Sequence, residues 1–560
     1  MKMKHMLPSF LAAACCLLAL VSCRQEPDSG AGPVAPVDVK VYGKLAAVLG
    51  HGRKKLELVD PGSGKVVKSI RLSGKPNGMA IDGNTAYVAE GGPGGVVEVV
   101  ALDTGTVKGA FPAGHTPMSP VVRNGKLYVA ARFDSKIVEM DASSGKVLNS
   151  WPASREPVAL AVSPDGKKIW AANHLPAGAA NGDFTAAALT LVENGKAVHF
   201  PLANGTQGVR GMAVSPDGRY LAVAHVLSRY QMPTTQLDRG WMNTNAVTIM
   251  DTACPDRPHP VLLDDPDAGA ANPWGVLFSP DGSRLLVTHA GTHELSIIDF
   301  PALLARMKKE DRAGNPVSER LGFLHDIRTR VRLPLNGPRA LASDGENVYV
   351  TGYFSDTLAQ VPLKADAVPR NIPLNAEYRP SRERLGEQYF NDASHCFQGW
   401  QSCATCHPDA RVDGLNWDLL NDGMGNPKNT RTMFLSHRTS PVMSLGVRAS
   451  AEVAVTAGFV HIQFMEPDGD LAACVQCHPH PYFTTKELVA TGTAKGLDEG
   501  RKILVPSLVE VWRTAPYLHD GRAKTLREAV TVHNRGDIRG KTSSLNDREL
   551  EDLVNYVQSL

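Results

Sequence analysis

Thr85-Ala86-Tyr87-Val88-Ala89-Glu90 is a short run of strand-forming residues that follows the turn Asp82-Gly83-Asn84. Equivalent runs centre on Ala46, Tyr128, Trp170, Ala222, Leu286 and Tyr349, and successive intervals are 41, 41, 42, 52, 64 and 63 residues. In six of the seven units a following strand closes on an acidic residue: Asp60, Asp103, Asp141, Glu193, Asp251 or Asp299. Ser-Pro-Asp-Gly marks the same turn at Ser163, Ser215 and Ser279. A period near 40, apolar strands and tight polar turns describe the four-stranded blades of a β-propeller. Seven units predict seven blades over residues 37–374. The three longer intervals predict extra loop in later blades.

The spelling of the repeat, as in Tyr87-Val88-Ala89 and Val162-Ser163-Pro164-Asp165-Gly166, resembles YVTN-type propellers. That resemblance implies a fold more than a function. His51, His174, His225 and His289 fall at or just after the end of the second strand of their units. If they converge on one rim, they form a ligand, docking or metal surface. If not, they are histidines that suit a half-exposed strand end.

Past residue 374 the chemistry changes. Cys403-Ala404-Thr405-Cys406-His407 and Cys474-Val475-Gln476-Cys477-His478 each have the C-x-x-C-H form, 71 positions apart. Two thiols one helical turn apart can bond both vinyl groups of one porphyrin, and the next residue offers an imidazole to its iron. A zinc or redox C-x-x-C followed by chance by His is the alternative for one copy. Two copies predict two covalently bound c-type haems, with His407 and His478 as iron ligands. Residues 375–560 are therefore expected to form a mainly α-helical di-haem cytochrome c domain, closed by an amphipathic helix around Asp547–Val557.

Several strings here resemble the bacterial di-haem cytochrome c peroxidase family, which includes MauG-type enzymes. They are Gly425-Asn426-Pro427-Lys428-Asn429-Thr430, Pro506-Ser507-Leu508, Thr514-Ala515-Pro516-Tyr517-Leu518-His519-Asp520-Gly521 and Thr525-Leu526-Arg527-Glu528-Ala529-Val530. The resemblance implies that the sixth ligand of the second haem lies three residues beyond the last string, at His533. It also implies a peroxide-binding first haem with a distal carboxylate, for which Gly446-Val447-Arg448-Ala449-Ser450-Ala451-Glu452 offers Glu452 as the catalytic acid. His519 belongs to the family's packing string. The first haem has no second ligand decided by spacing; Met424, Met433, His437, Met443 and His461 all lie downstream. The motifs sit closer together than in typical members, so the family's distal pocket does not carry over intact. Trp417 and Trp512 are candidate conduits between the haems, or ordinary core residues.

The N-terminus reads as an export signal. Lys2, Lys4 and His5 precede an apolar run from Leu7 to Val21, which ends in Leu20-Val21-Ser22-Cys23. That string resembles a bacterial lipobox, which implies a signal peptide over residues 1–23, lipidation at Cys23 and a tether over residues 24–36. The expected location is the periplasmic side of a bacterial membrane, where c-type haem is attached. Cys254 and Cys396 are left over and free to pair in an oxidising compartment. A net charge of +2 over 560 residues gives no footprint for nucleic acid.

Three functions follow as expectations. The first is a peroxidase-like oxidoreductase in which electrons pass between two haems and the propeller docks substrate or partner. Its partners would be a redox protein or small electron donor, and hydrogen peroxide. The second is a non-catalytic electron-transfer protein with the propeller as docking platform. The third makes the propeller catalytic, without a quinone-cofactor signature to support it.

Overall fold

Seven consecutive groups of four strands account for the chain from Pro36 to Pro373. The structure is a computed structural model and describes residues 32–232, 242–313, 320–364, 368–420, 425–465, 488–489, 493–494, 496–537 and 542–558. Each group is an antiparallel sheet whose strands lie in sequence order. Blade 1 runs Pro36–Tyr42, Leu45–Gly50, Lys55–Asp60 and Lys65–Arg71; the innermost strands of blades 2 to 7 begin at Pro76, Pro117, Pro157, Thr206, Pro273 and Pro338. Proline suits the first residue of a strand, where no ladder donor is needed.

In each blade the second and third strands are more buried than the fourth. In blade 1 the second strand is almost wholly buried, while the fourth exposes Lys65, Val66, Val67 and Arg71. The apolar clusters lie between blades, as in the one joining Leu49, Leu56 and Leu58 of blade 1 to Met79, Val88 and Val100 of blade 2. The Ser-Pro-Asp-Gly turns are held by the serine hydroxyl, which donates to the aspartate at 2.6 Å in the copies at Ser163 and Ser279. Each ends on a glycine with positive φ: Gly166 at 75°, Gly218 at 74° and Gly282 at 70°. Helix α1 (Phe300–Ala313), inserted after the third strand of blade 6, packs Phe300, Leu303 and Met307 onto the blade core and accounts for one long interval.

The ring closes without exchanging a strand. The innermost strand of blade 7 packs beside that of blade 1. At this seam Val34 N and Ala35 N donate to the two carboxylate oxygens of buried Asp356, at 2.8 and 2.9 Å.

After the propeller the chain is less helical than its spacing implies. The described residues hold α2 (Arg382–Asn391), α3 (Cys403–Cys406), α4 (Ala451–Ala457), α5 (Leu526–Val530) and α6 (Asp547–Gln558), separated by turns and 3-10 segments. Positive φ angles at Leu420, Leu435, Met443, Phe464, Glu510 and Leu518 break the helical path repeatedly. The expectation of a mainly α-helical segment is corrected to short helices strung along irregular chain.

The irregular chain repeats itself. Leu435 (φ 56°) leads into the 3-10 turn Ser436–Arg438, and Glu510 (φ 51°) leads into Val511–Arg513. Met443 and Leu518 have φ 73° and 75°, Gly446 and Gly521 have 63° and 61°. The bridges Val442–Arg448 and Tyr517–Ala523 correspond. Ser450 caps α4 by accepting from Val453 N, and Thr525 caps α5 by accepting from Glu528 N. Ala454-Val455-Thr456 then matches Ala529-Val530-Thr531. Every pair is 75 positions apart, so the tail carries two copies of one structural unit.

Candidate functional site

Ser402 starts the turn that carries the first thiol pair. Its backbone N donates to Thr405 Oγ1 at 2.9 Å, and the reciprocal capping interaction fixes α3. Cys403 and Cys406 stand on this single turn, and His407 N closes it by donating to Cys403 O at 3.0 Å. His407 Nδ1 lies 3.2 Å from Arg411 O. A carbonyl only accepts, so Nδ1 carries the proton and Nε2 presents a lone pair, as an iron-ligating imidazole requires. Burial lowers the His407 pKa and keeps the ring neutral. Burial also raises the Cys406 thiol pKa.

Both cysteines, His407 and Trp417 border a cavity of about 540 Å³, within the size range of cofactor sites. Arg431 lines it too, and loss of water pulls its pKa down to about 10. Its Nη1 donates to Met443 O at 3.0 Å, but no carboxylate pairs with it among the described residues. An apolar chamber with two thiols one turn apart, a neutral imidazole and an unpaired guanidinium fits a c-type haem with acidic side groups. It does not fit zinc: among the described residues no three His, Cys, Asp or Glu side chains gather to hold an ion.

The propeller builds part of this site. Asn243 Nδ2, from blade 5, lies 3.4 Å from Cys406 Sγ and donates to Gln401 Oε1 at 2.7 Å. From the tail, Gln463 Nε2 lies 3.2 Å from Cys403 Sγ. Gln207 Nε2 donates to Thr405 O at 2.8 Å, and Asn272 exchanges hydrogen bonds with Ser402 and Thr405, both at 2.8 Å. Asp409, two residues past His407, reaches Arg132 at 2.6 Å, Arg210 at 2.9 Å and Arg513 at 3.5 Å. Burial alone would raise its pKa, yet Arg210 and Arg132 hold it well below the carboxylate range. Sequence reading missed Asn243, Gln207, Asn272 and Asp409, since their partners lie more than a hundred residues away.

The four strand-end histidines do not converge. The Nδ1 atoms of His51, His174 and His289 sit 2.9, 2.8 and 3.1 Å from the carbonyls of Pro76, Val209 and Ala270. His225 Nε2 lies 2.7 Å from Thr248 Oγ1. These histidines tie strands together, and the metal-surface expectation is corrected accordingly. The tail reaches this rim at Gln207, Asn272 and Arg132. Cys254 is exposed and Cys396 buried, both as free thiols, so they do not pair.

Of the candidate sixth ligands, Met433, Met443 and His461 line the cavity. His437 is not part of its wall, and Met424 lies outside the described residues. Glu452 is next to cavity-lining Ala451 on α4 but is not in the wall; its pKa is lowered, first by the Ser450 hydroxyl. Trp417 borders the cavity and donates to Asp413 Oδ2 at 2.7 Å. Trp512 packs instead on Phe133 of blade 3 and on His115 in the connection from blade 2, at ring separations of 4.9 and 5.7 Å. Cys474, Cys477 and His478 lie outside the described residues, as does Cys23. His533 follows α5, its N donating to Glu528 O at 3.1 Å. Asn429 N donates to His519 O at 2.9 Å, which ties the two tail units together.

Sequence reading also missed Gly458. The 75-residue offset places it opposite His533, and the matching Ala-Val-Thr strings were the available signal. Gly458 lies in the cavity wall where α4 widens into the π-turn Gly458–Ile462, and a Cβ there would meet nothing within 4 Å.

No family model matches the chain. Hydrazine synthase subunit beta of Kuenenia stuttgartiensis is 26% identical over 225 residues, covering 40% of this chain and 57% of that subunit. The gamma subunit from the same organism is 24% identical, covering 33% of this chain and 79% of that one. A solved chain of Kuenenia stuttgartiensis hydrazine synthase superposes with a TM-score of 0.54 at 23% identity, over 60% of this chain and 97% of that chain. The protein is thus a seven-bladed β-propeller with a two-unit tail, similar in sequence to two different subunits of hydrazine synthase.

Proposed function

We propose that the chain is an exported di-haem c-type cytochrome acting as an oxidoreductase on a small inorganic molecule. Cys403 with Cys406, and Cys474 with Cys477, would hold the two groups, and His407 and His478 would offer their imidazoles to the irons. Bound there, c-type haem supplies reversible one-electron exchange and, where no side chain closes its far face, a position for a small ligand. In the second unit His533 would supply the imidazole for that face. Gly458 leaves it open in the first, and this asymmetry between otherwise matching units carries the reading. Arg431 supplies a countercharge inside the cavity, while Asn243 and Gln463 fix the thiols. The tail's resemblance to di-haem peroxidases favours hydrogen peroxide as substrate, and similarity to hydrazine synthase subunits favours a small nitrogen compound. Those relatives are subunits of an assembly, which supports a protein redox partner. Lipidation at Cys23 would hold the protein on the periplasmic side of its membrane.

The test is electron paramagnetic resonance of the chain matured in cells that attach c-type haem, after mass spectrometry has counted the adducts. One high-spin and one low-spin ferric signal are expected. Gly458→His converts the first to low spin, and His533→Ala alters only the second. Two low-spin centres inert to peroxide and hydroxylamine in the unmodified chain would instead establish the electron-transfer reading. That second reading is favoured by Met433, Met443 and His461 lining the same cavity.

A further inference from the structure

Two arginines stand in the propeller channel directly under α3. Arg210 lies on the innermost strand of blade 5 and Arg339 on that of blade 7. Their guanidinium carbons pack 4.4 and 4.3 Å from the centre of the Trp274 ring. Arg210 is paired with Asp409. Arg339 is stacked 3.4 Å from the Tyr353 ring, and its Nε is buried with no hydrogen-bond partner. No carboxylate of the described residues pairs with it. Glu387, a negative charge in its surroundings, is taken by Arg384 at 2.7 Å.

The charges at this mouth do not balance. Arg132, Arg155, Arg210, Arg339, Arg384, Arg411 and Arg513, seven cations, face four carboxylates, Asp409, Glu156, Glu387 and Glu510. His174 adds nothing, because burial first and then Arg210 and Arg132 lower its pKa to about 3. Burying charge of one sign without countercharge is costly. Arg210, Arg339 and Trp274, with Asn272, Thr405 and Pro408, wall a cavity of about 20 Å³. That volume holds one water-sized occupant.

We propose that this cavity binds a single halide-sized inorganic anion between Arg339 and Arg210. Space for one water-sized occupant suits a monatomic anion, and the buried Arg339 Nε offers it an N–H that has no other hydrogen-bond partner. Ala404, Thr405 and Pro408 form part of the cavity wall, so the ion sits against the turn that bears the first thiol pair. Anion binding and seating of that turn on the propeller are therefore linked.

Thermal unfolding of the full mature chain in sodium chloride and in sodium gluconate, at matched ionic strength, tests this. A saturable chloride-dependent rise in Tm is expected in the unmodified chain and is lost in Arg339→Met. Crystals soaked in bromide should show an anomalous peak between Arg210 and Arg339. Chloride dependence that survives in Arg339→Met overturns the site, as do equal midpoints in the two salts. If that variant does not fold, the bromide map of the unmodified chain decides, and an ordered water at that point rejects the proposal.

Discussion

Asp409 is one side chain on which two parts of the chain depend. It meets Arg132 and Arg210 of the propeller and Arg513 of the second tail unit. Asp409→Asn keeps the shape and takes the carboxylate from Arg210, while Arg132 keeps Glu156 and Arg513 keeps Glu510. It should cost about 1–3 kcal/mol, read as a lowered denaturation midpoint of the full chain. Glu90 behaves in the opposite sense. Burial chiefly, opposed by the Ser73 hydroxyl and reinforced by Glu98, raises its pKa from 4.5 to about 7. The folded state then holds a proton that the unfolded chain has released, so stability falls as pH rises through that window. Glu90→Gln should flatten this slope and raise the midpoint at about pH 8 relative to the unmodified chain; an unchanged slope would assign the pH dependence elsewhere. At this scale the two thiol motifs were legible because their chemistry is local. Asp409 and Asn243 were not, since nothing in a residue's neighbours records a partner that only folding supplies.

Among elements, the propeller strands were legible from their recurring runs, and the structure places strands on each of them. The tail elements were read as longer helices than they are. Its apolar spacing is helical over a turn or two, after which a residue with positive φ redirects the chain, as Leu435 and Met443 do. The 75-residue repetition was hidden because it lives in turn geometry more than in residue identity. Docking of these elements relies on close backbone approach at Gly269, whose N donates to Gln398 O at 2.7 Å. A Cβ there would fall 2.5 Å from Gly399 O and from Trp400 Cα. Gly269→Ala must push the segment leading into α3 away from blade 6, at about 1–3 kcal/mol. Faster limited proteolysis between residues 393 and 403 should report that displacement, and unchanged cleavage would show that the segment adapts.

At the level of the whole molecule, the propeller is a scaffold for the first thiol pair as much as a separate body. Amide groups from blade 5 reach both the turn and one sulfur, so removing the propeller removes part of the surroundings of the first thiol pair. The seven-fold ring was readable in outline, but its junction with the tail was not, because that depends on which rim is covered. The seam at Asp356 has a mechanical consequence. The chain N-terminal to Val34 leaves the ring beside its closure, where one carboxylate grips two successive amides. Any pull on the segment before Val34 would bear first on this latch, so the ring would come apart between blades 7 and 1, with the tail still seated on blades 3 to 7.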